Sequence, residues 1–272
     1  MKNKISSIIG FMVLFLWGTT VFAQHKKENL ESKYVTVMTL HGVEGIDFDE
    51  WLNVEKEYFD KVTSKIDVIL SHEVLVRYFA NDLSEIKVIN VFKTWDDIEY
   101  VNQVREDLIN KAWPDENARA GFFKKQNSFY TNFHSDEIYI TTSLSKLMSE
   151  EEKSSIKNPM VYYLDTNILA DHDNEDAYKL FEDYLNAVVY KNPYIKAYYP
   201  FRHYWGADSR EFLEIYVVNS LSGLEKALET DKQLLQAYIP DKTKRKEFIK
   251  TYRLTVASHK DKLFRNVPSL TK

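Results

Sequence analysis

The order of elements read from residues 34–142 recurs in residues 159–272, and a chain that repeats itself in this way is constrained to fold as two copies of one unit. In the first stretch, residues 34–40 alternate in strand fashion with β-branched side chains. Trp51, Val54, Tyr58, Phe59 and Val62 then fall at helical spacing within residues 48–66. Residues 74–79 and 86–92 read as a hairpin around a turn at 81–84. A long helical region from Trp95, interrupted near Pro114, runs to about Tyr130, and residues 138–142 close the unit as a strand. The predicted order is β-α-β-β-α-β. The second stretch supplies a strand at 160–164, a helix at 177–189, strands at 198–205 and 212–218 around a turn at 206–209, helical segments between 224 and 256, and a strand near 263–267.

Register supports the duplication. Arg77 precedes His134 by 57 residues, and Arg202 precedes His259 by the same 57. In that frame Ser84 matches Ser209 and Asp136 matches Asp261. One inserted residue in the second hairpin turn then pairs Val91 with Val217, Glu99 with Glu225, Phe122 with Phe248 and Lys124 with Lys250. Residues 143–158 are polar and end before Pro159, the composition of a linker, with a part-helical segment as the alternative.

The first 23 residues have the form of an export signal. Lys2 and Lys4 precede an apolar stretch around residues 8–17, and Val21-Phe22-Ala23 ends in a small residue, making Gln24 the first mature residue. The apolar stretch is too short to span a bilayer as an ordinary helix, so no membrane anchor is expected after cleavage. A periplasmic or secreted protein with a charged, mobile leader at 24–33 is the expectation. The chain has no cysteine, which removes both a lipoprotein anchor and a disulfide framework. Acidic side chains number 41 against 36 basic, with no basic stripe, so nucleic acid is not an expected partner. Seven Gly and six Pro leave little room for a loop-rich or disordered chain, and aromatic residues make up 14%.

A βαββαβ unit resembles the ferredoxin-like fold. Two of them in one chain, each with a His-x-Asp-x-aliphatic-aromatic run near its last strand (His134 to Tyr139 and His259 to Phe264), resemble the dimeric α/β-barrel superfamily. That resemblance implies an α+β fold in which two antiparallel sheets face each other, and a monomer whose two halves satisfy the barrel internally. The superfamily includes small-molecule monooxygenases, haem-degrading and haem-binding enzymes, and proteins without known catalysis, so the fold narrows geometry more than function.

Strand alternation yields candidate site residues. If Ile89, Val91, Ile215 and Val217 pack on helices, then Val88, Asn90, Phe92, Phe212, Glu214 and Tyr216 face a central cavity, with Arg77 and Arg202. The second half is the richer in aromatics: Tyr198, Tyr204 and Trp205 lie among Arg202, His203 and Glu214. The expected ligand is a small apolar or aromatic molecule, with or without a carboxylate, bound by Arg77, Asn90, Tyr198, Arg202, Tyr204, Trp205, Glu214 and Tyr216. The structural alternative is that these rings fill the barrel and that Arg202 and Glu214 pair with each other. His134, Asp136, His259 and Asp261 offer imidazole–carboxylate pairs suited to a general base or a metal, or simply to capping a strand end. Residues 171–176, with Glu182, have carboxylates at calcium-loop spacing, but Asp176 stands where that loop needs glycine, and helix capping is the better reading. Phosphate loops, Gly-x-Ser-x-Gly, His-Glu-x-x-His and cysteine nucleophiles are absent from the sequence. The expectation is therefore an exported small-molecule-binding or accessory protein with no assignable reaction and no cofactor. The alternative is a cofactor-free oxygenase using His203, Glu214 or Tyr216, or a haem enzyme with His203 as ligand.

Overall fold

The computed structural model describes residues 32–78, 85–156, 158–170 and 175–272. The expected export signal, most of the leader, the turn at 81–84 and most of the acidic run at 171–176 lie outside the described residues.

Among the described residues eight antiparallel strands form one closed barrel. The first half contributes β1 (Tyr34–Gly42), β2 (Ile69–Arg77), β3 (Ile86–Phe92) and β4 (Tyr130–Thr141), with helices α1 (Phe48–Lys61), α2 (Trp95–Ala112) and α3 (Glu116–Asn127). A short helix α4 (Glu150–Ser155), capped by Ser149, lies in the connecting segment. The second half contributes β5 (Val161–Leu169), β6 (Ala197–Trp205), β7 (Glu211–Val218) and β8 (Val256–Asn266). Its helices are α5 (Glu175–Tyr184), extended by a π-helical turn Leu185–Val189, α6 (Leu221–Tyr238) and α7 (Lys242–Leu254). Among the described residues no helix is long and apolar enough to cross a membrane.

Within each half the strands lie in the order β4-β1-β3-β2 and β8-β5-β7-β6. The two sheets join at two seams. At one, Leu75, Val76 and Arg77 of β2 pair with Asn266, Arg265 and Phe264 of β8. At the other, Tyr139, Ile140 and Thr141 of β4 pair with His203, Arg202 and Phe201 of β6. The tandem ferredoxin-like halves thus make the dimeric α/β barrel within one polypeptide.

Both helix pairs turn the same corner. Asp115 caps α3 and Asp241 caps α7, each directly after a proline. Arg119 then donates to the Trp113 carbonyl at 3.0 Å and Arg245 to the Ile239 carbonyl at 2.6 Å, which satisfies carbonyls freed at the end of the preceding helix.

The ladders correct the expected register. Pairing across β2–β3 and β6–β7 makes Val76 equivalent to Arg202 and Arg77 equivalent to His203. The hairpins are of equal length, with Val76↔Ile86 answering Arg202↔Phe212, so the inserted residue does not lie in the second turn. β4 and β8 begin earlier than the apolar pattern indicated, which places His134, Asp136, His259 and Asp261 within strands.

The assignment of faces is reversed as well. Val35, Val37, Leu75, Ile89, Tyr139, Tyr162, Leu164, Phe201, Leu213, Ile215, Val217 and Phe264 form one buried cluster that draws on both halves and fills the barrel. Ile89, Val91, Ile215 and Val217 therefore point inward, whereas Asn90, Glu214 and Tyr216 lie on the helix-facing side. Both faces of each sheet are buried, so an aliphatic row does not mark the helix side. An eight-stranded barrel has an interior that side chains can fill, and this one is filled. Phe264, fully buried at the centre, is expected to lower unfolding free energy by about 3–5 kcal/mol when changed to Ala. Because the ladder is continuous through both seams, urea denaturation of Phe264→Ala monitored separately in each half should show one shared transition moved to lower denaturant.

Candidate active site

The helix-facing side of the second sheet carries a polar group that the fold itself does not demand. Ladder pairing sets three rows across β8, β5, β7 and β6. The upper row is His259–Asn167–Phe212–Arg202, the middle row Asp261–Asp165–Glu214–Pro200, and the lower row Leu263–Tyr163–Tyr216–Tyr198. The first half has the same grid. Its rows read His134–Leu40–Ile86–Val76, Asp136–Met38–Val88–Val74 and Ile138–Thr36–Asn90–His72. Where the first half has Met38, Leu40 and Val88, the second has Asp165, Asn167 and Glu214.

Glu214 is the centre of the group. It is 5% exposed. Its Oε1 accepts from the Tyr198 hydroxyl at 2.6 Å and the Tyr216 hydroxyl at 2.8 Å, and its Oε2 accepts from the Asn167 amide at 2.9 Å. Burial pushes its carboxyl up to about 7. The Tyr198, Tyr216 and Asn167 hydrogen bonds pull it down, while Asp165 adds to the rise. Burial and the same carboxylate hold the Tyr198 and Tyr216 phenols well above their ordinary range, so both remain donors. Asp165, beside it, is raised to about 6 by burial and by Asp261, and its Oδ1 is buried without a hydrogen-bond partner. Tyr163 donates to Asp261 at 2.8 Å.

Aromatic rings roof this group. Tyr184 at the end of α5 and Tyr252 of α7 lie 5.1 Å apart, Phe181 stacks on Tyr252 at 6.5 Å, and Phe181 meets Phe212 edge-on at 5.4 Å. α5 passes into its π-helical turn directly after Tyr184, a departure from regular helix that is frequent at functional sites.

The expected site residues are spread over both faces of the barrel. Tyr198, Glu214 and Tyr216 come together as described. Arg202 lies one row above Glu214 on β6, exposed, and Glu214 is held by the two phenols and the amide instead of by Arg202. Arg77 and His203 lie on the interior face near the upper mouth, where His203 Nε2 meets Glu137 at 3.2 Å. Gly206, at φ 149°, has no side chain to collide with that carboxylate, and its neighbour Ala207 donates its amide to Glu137 at 3.2 Å. Asn90 faces the first half's helices and bonds His72 at 2.6 Å. Tyr204 sits against Tyr34 and Trp95, and Trp205 is 70% exposed. The pairs His134–Asp136 (3.2 Å) and His259–Asp261 (3.9 Å) are largely exposed, and among the described residues no group of His, Asp and Glu is arranged to hold a metal. A cavity of about 380 Å³ beside α4 is lined by Met148, Ile156, Met160 and Lys196 among others, and by none of the expected site residues.

Haem, which the superfamily resemblance raises, does not suit these residues. His203 is bonded to Glu137 inside the barrel, and His259 is exposed beside Asp261. The space between the second sheet and its helices is taken up by contacting tyrosine and phenylalanine rings above buried carboxylates. Sequence reasoning passed over Asp165, Asn167, Tyr184 and Tyr252. A position-by-position comparison of β1 with β5 exposes the first two as polar replacements of Met38 and Leu40.

No protein-family model matches the chain, and no curated protein matches it by sequence. Solved structures do share its fold. A monooxygenase-like protein of Fusobacterium nucleatum aligns with a TM-score of 0.58 at 6% identity, covering 87% of this chain and 93% of the other. An anthrone oxidase-like protein aligns at 0.51 and 10% identity, covering 87% and 92%. A mutant chlorite dismutase of Candidatus Nitrospira defluvii, in complex with cyanide, aligns at 0.50 and 12% identity, covering 88% and 92%. Identities this low establish the fold alone.

The raised carboxyls make stability depend on pH. Glu214 ionises near 4.5 when unfolded and near 7 when folded, and Glu73, buried in the barrel and bonded to Thr271 at 3.3 Å, behaves alike. The folded state therefore binds more protons over that window. Their contribution is fully present below about pH 4.5 and is lost as pH rises through about 7. Melting temperatures taken from about pH 5 to about pH 8 should fall less steeply for Glu214→Gln than for the wild type.

Proposed function

Starting from the dimeric α/β-barrel fold, we propose that the second half is a cofactor-free oxygenase site in which Glu214 is the general base and the substrate is a small aromatic carbon acid. One observation carries this reading: the positions occupied by Glu214, Asp165 and Asn167 are filled in the first half by Val88, Met38 and Leu40, which meet every need of the fold. A carboxyl near 7 is suited to taking and returning a proton at neutral pH.

In this mechanism the Glu214 carboxylate removes a proton from an activated ring CH₂, leaving the electron pair on carbon as a delocalised enolate. Tyr198 and Tyr216 keep Glu214 oriented, and the aromatic roof excludes water. The enolate reduces dioxygen and a C–O bond forms, giving a hydroperoxide anion that recovers the proton from Glu214. Glu214 then takes the second C–H proton as the O–O bond breaks and hydroxide leaves, the two combining as water, so that CH₂ and O₂ become C=O and H₂O. Glu214 is closed off from solvent, and the reading requires α5 and α7 to part so that Tyr184 and Tyr252 admit the substrate.

Anthrone is a suitable probe because its CH₂, beside a carbonyl and two rings, is weakly acidic. Wild-type protein in air should consume dioxygen with anthrone, at a rate that rises with pH through about 7. Glu214→Gln should lower kcat by about 10²- to 10⁴-fold with little change in KM, and added haemin should change neither. Equal rates for Glu214→Gln would overturn the assignment of the base. Binding of aromatic compounds with no oxygen uptake by the wild type would replace this reading with a binding protein that uses the same residues.

Export remains part of the proposal. Protein recovered from outside the cytoplasm should begin at Gln24 by intact mass, and a full-length cytoplasmic chain would count against it. Because the barrel closes within one chain, the mature protein should run as a monomer in size-exclusion chromatography.

A further inference from the structure

The barrel has a second polar region, on the interior face at its upper mouth, that is distinct from the Glu214 group. Arg77 of β2, Lys87 of β3 and Lys262 of β8 reach this mouth above Phe264. The Arg77 guanidinium lies 5.4 Å and the Lys87 ammonium 5.9 Å from the centre of that ring. Glu85, 8% exposed, binds Lys262 at 2.7 Å and lies 3.6 Å from Lys87, whose ammonium also donates to Thr39 at 2.9 Å. Two of the three cations thus share one carboxylate. The third is different: the Arg77 charge also helps to lower the Glu85 carboxyl, yet among the described residues Arg77 forms no ion pair, and its Nη1 is buried with no hydrogen-bond partner.

A buried guanidinium N–H without an acceptor is destabilising, and native structures seldom leave such a donor unmatched. The fold does not require the arrangement. At the places related to these by the duplication stand His203 for Arg77 and Leu213 for Lys87 in the second half, and Glu137 of β4 for Lys262. The cations are therefore confined to one side of the mouth. The acids on the far side are already engaged, Glu211 accepting from the Tyr139 hydroxyl and Glu137 from His203 and the Ala207 amide.

We infer that the upper mouth of the barrel binds a small carboxylate, which accepts from Arg77 Nη1 and is drawn by Lys87. A guanidinium presents parallel N–H groups that match a carboxylate, while the ring of Phe264 beneath holds both cations in place. This site is independent of the Glu214 reading and lies on the opposite face of the sheet.

Benzoate, with neutral benzamide as its isosteric control, tests the inference by titration calorimetry in a buffer free of other carboxylates. Wild-type protein should bind benzoate, more weakly as chloride is raised, and should not bind benzamide. Arg77→Met should weaken benzoate binding about tenfold or more, and Arg77→Lys by less, because it keeps the charge and loses the fork. Arg77→Met removes an unmatched donor and should fold, which circular dichroism checks; Arg77→Lys serves if it does not. Glu214→Gln should bind benzoate as the wild type does. No heat with benzoate up to about 10 mM, equal binding of benzamide, or undiminished binding by Arg77→Met would overturn the site, and loss of binding in Glu214→Gln would assign benzoate to the other pocket.

Discussion

Two short seams determine the rest of this structure. Each four-stranded sheet ends in two strands with unpaired backbone groups, β2 and β4 in one half and β6 and β8 in the other. An exposed sheet edge invites pairing with other chains. Here β2 takes β8 and β4 takes β6, and no edge is left. Closure at eight strands fixes a diameter at which side chains from all sides meet, and Tyr139, Tyr162, Phe201 and Phe264 occupy the middle. A ligand cannot run through such an interior. Apart from Glu73, the polar groups described lie at the mouth of the barrel and on the outer faces beneath the helices.

Duplication supplies an internal control for the second of those places. A carboxylate buried where Val88 suffices must be matched by donors or it destabilises the fold. The donors changed along with it. The first half's His72 and Asn90 bond each other at 2.6 Å, while their counterparts Tyr198 and Tyr216 both turn their hydroxyls to Glu214. Asn167 replaces Leu40 and completes the set. Four coordinated differences in one patch of an otherwise equivalent sheet form a built environment for one ionisable group. The raised carboxyl of Glu214, a shift on the order of 3 kcal/mol, follows from burial that these donors only partly offset.

The element order was legible because strand and helix periods differ, and the antiparallel barrel followed from counting the same unit twice. Register was harder. Matching Arg77 to Arg202 aligned two like letters one residue out, whereas the Pro-Asp-x-x-x-Arg run at Pro114 to Arg119 and again at Pro240 to Arg245 carries the frame the ladders show. Its residues do the same work in both halves, capping one helix and closing the one before. The direction of the strand faces was not legible at all from Ile89, Val91, Ile215 and Val217. Alternation separates inside from outside only when one face meets water, and here both are covered. Glu214 and its two tyrosines were recognised as a set because they share a face whichever way that face points. Of the two arginines assigned inward, Arg77 does face the barrel and Arg202 faces outward, and His203, given no face by the sequence, lies inward; neither Arg77 nor His203 belongs with Glu214.

The same strands carry both polar regions, and strand alternation keeps them apart. Along β8, His259 and Asp261 face the helices while Lys262 and Phe264 face the barrel. Along β5, Asp165 and Asn167 lie outward while Tyr162 and Leu164 lie inward. Asp165 and Asp261 on the outward face and Lys262 on the inward face thus lie on opposite sides of the same two strands. β8 is also the strand whose pairing with β2 closes the barrel, through Arg265 and Phe264 against Val76 and Arg77. The bond pattern that removes the free edge is therefore the one that sets Arg77 over Phe264, while the ladder of β8 with β5 on its other side holds Asp261 level with Asp165. Closure of the fold and placement of Arg77 over Phe264 are one geometric event.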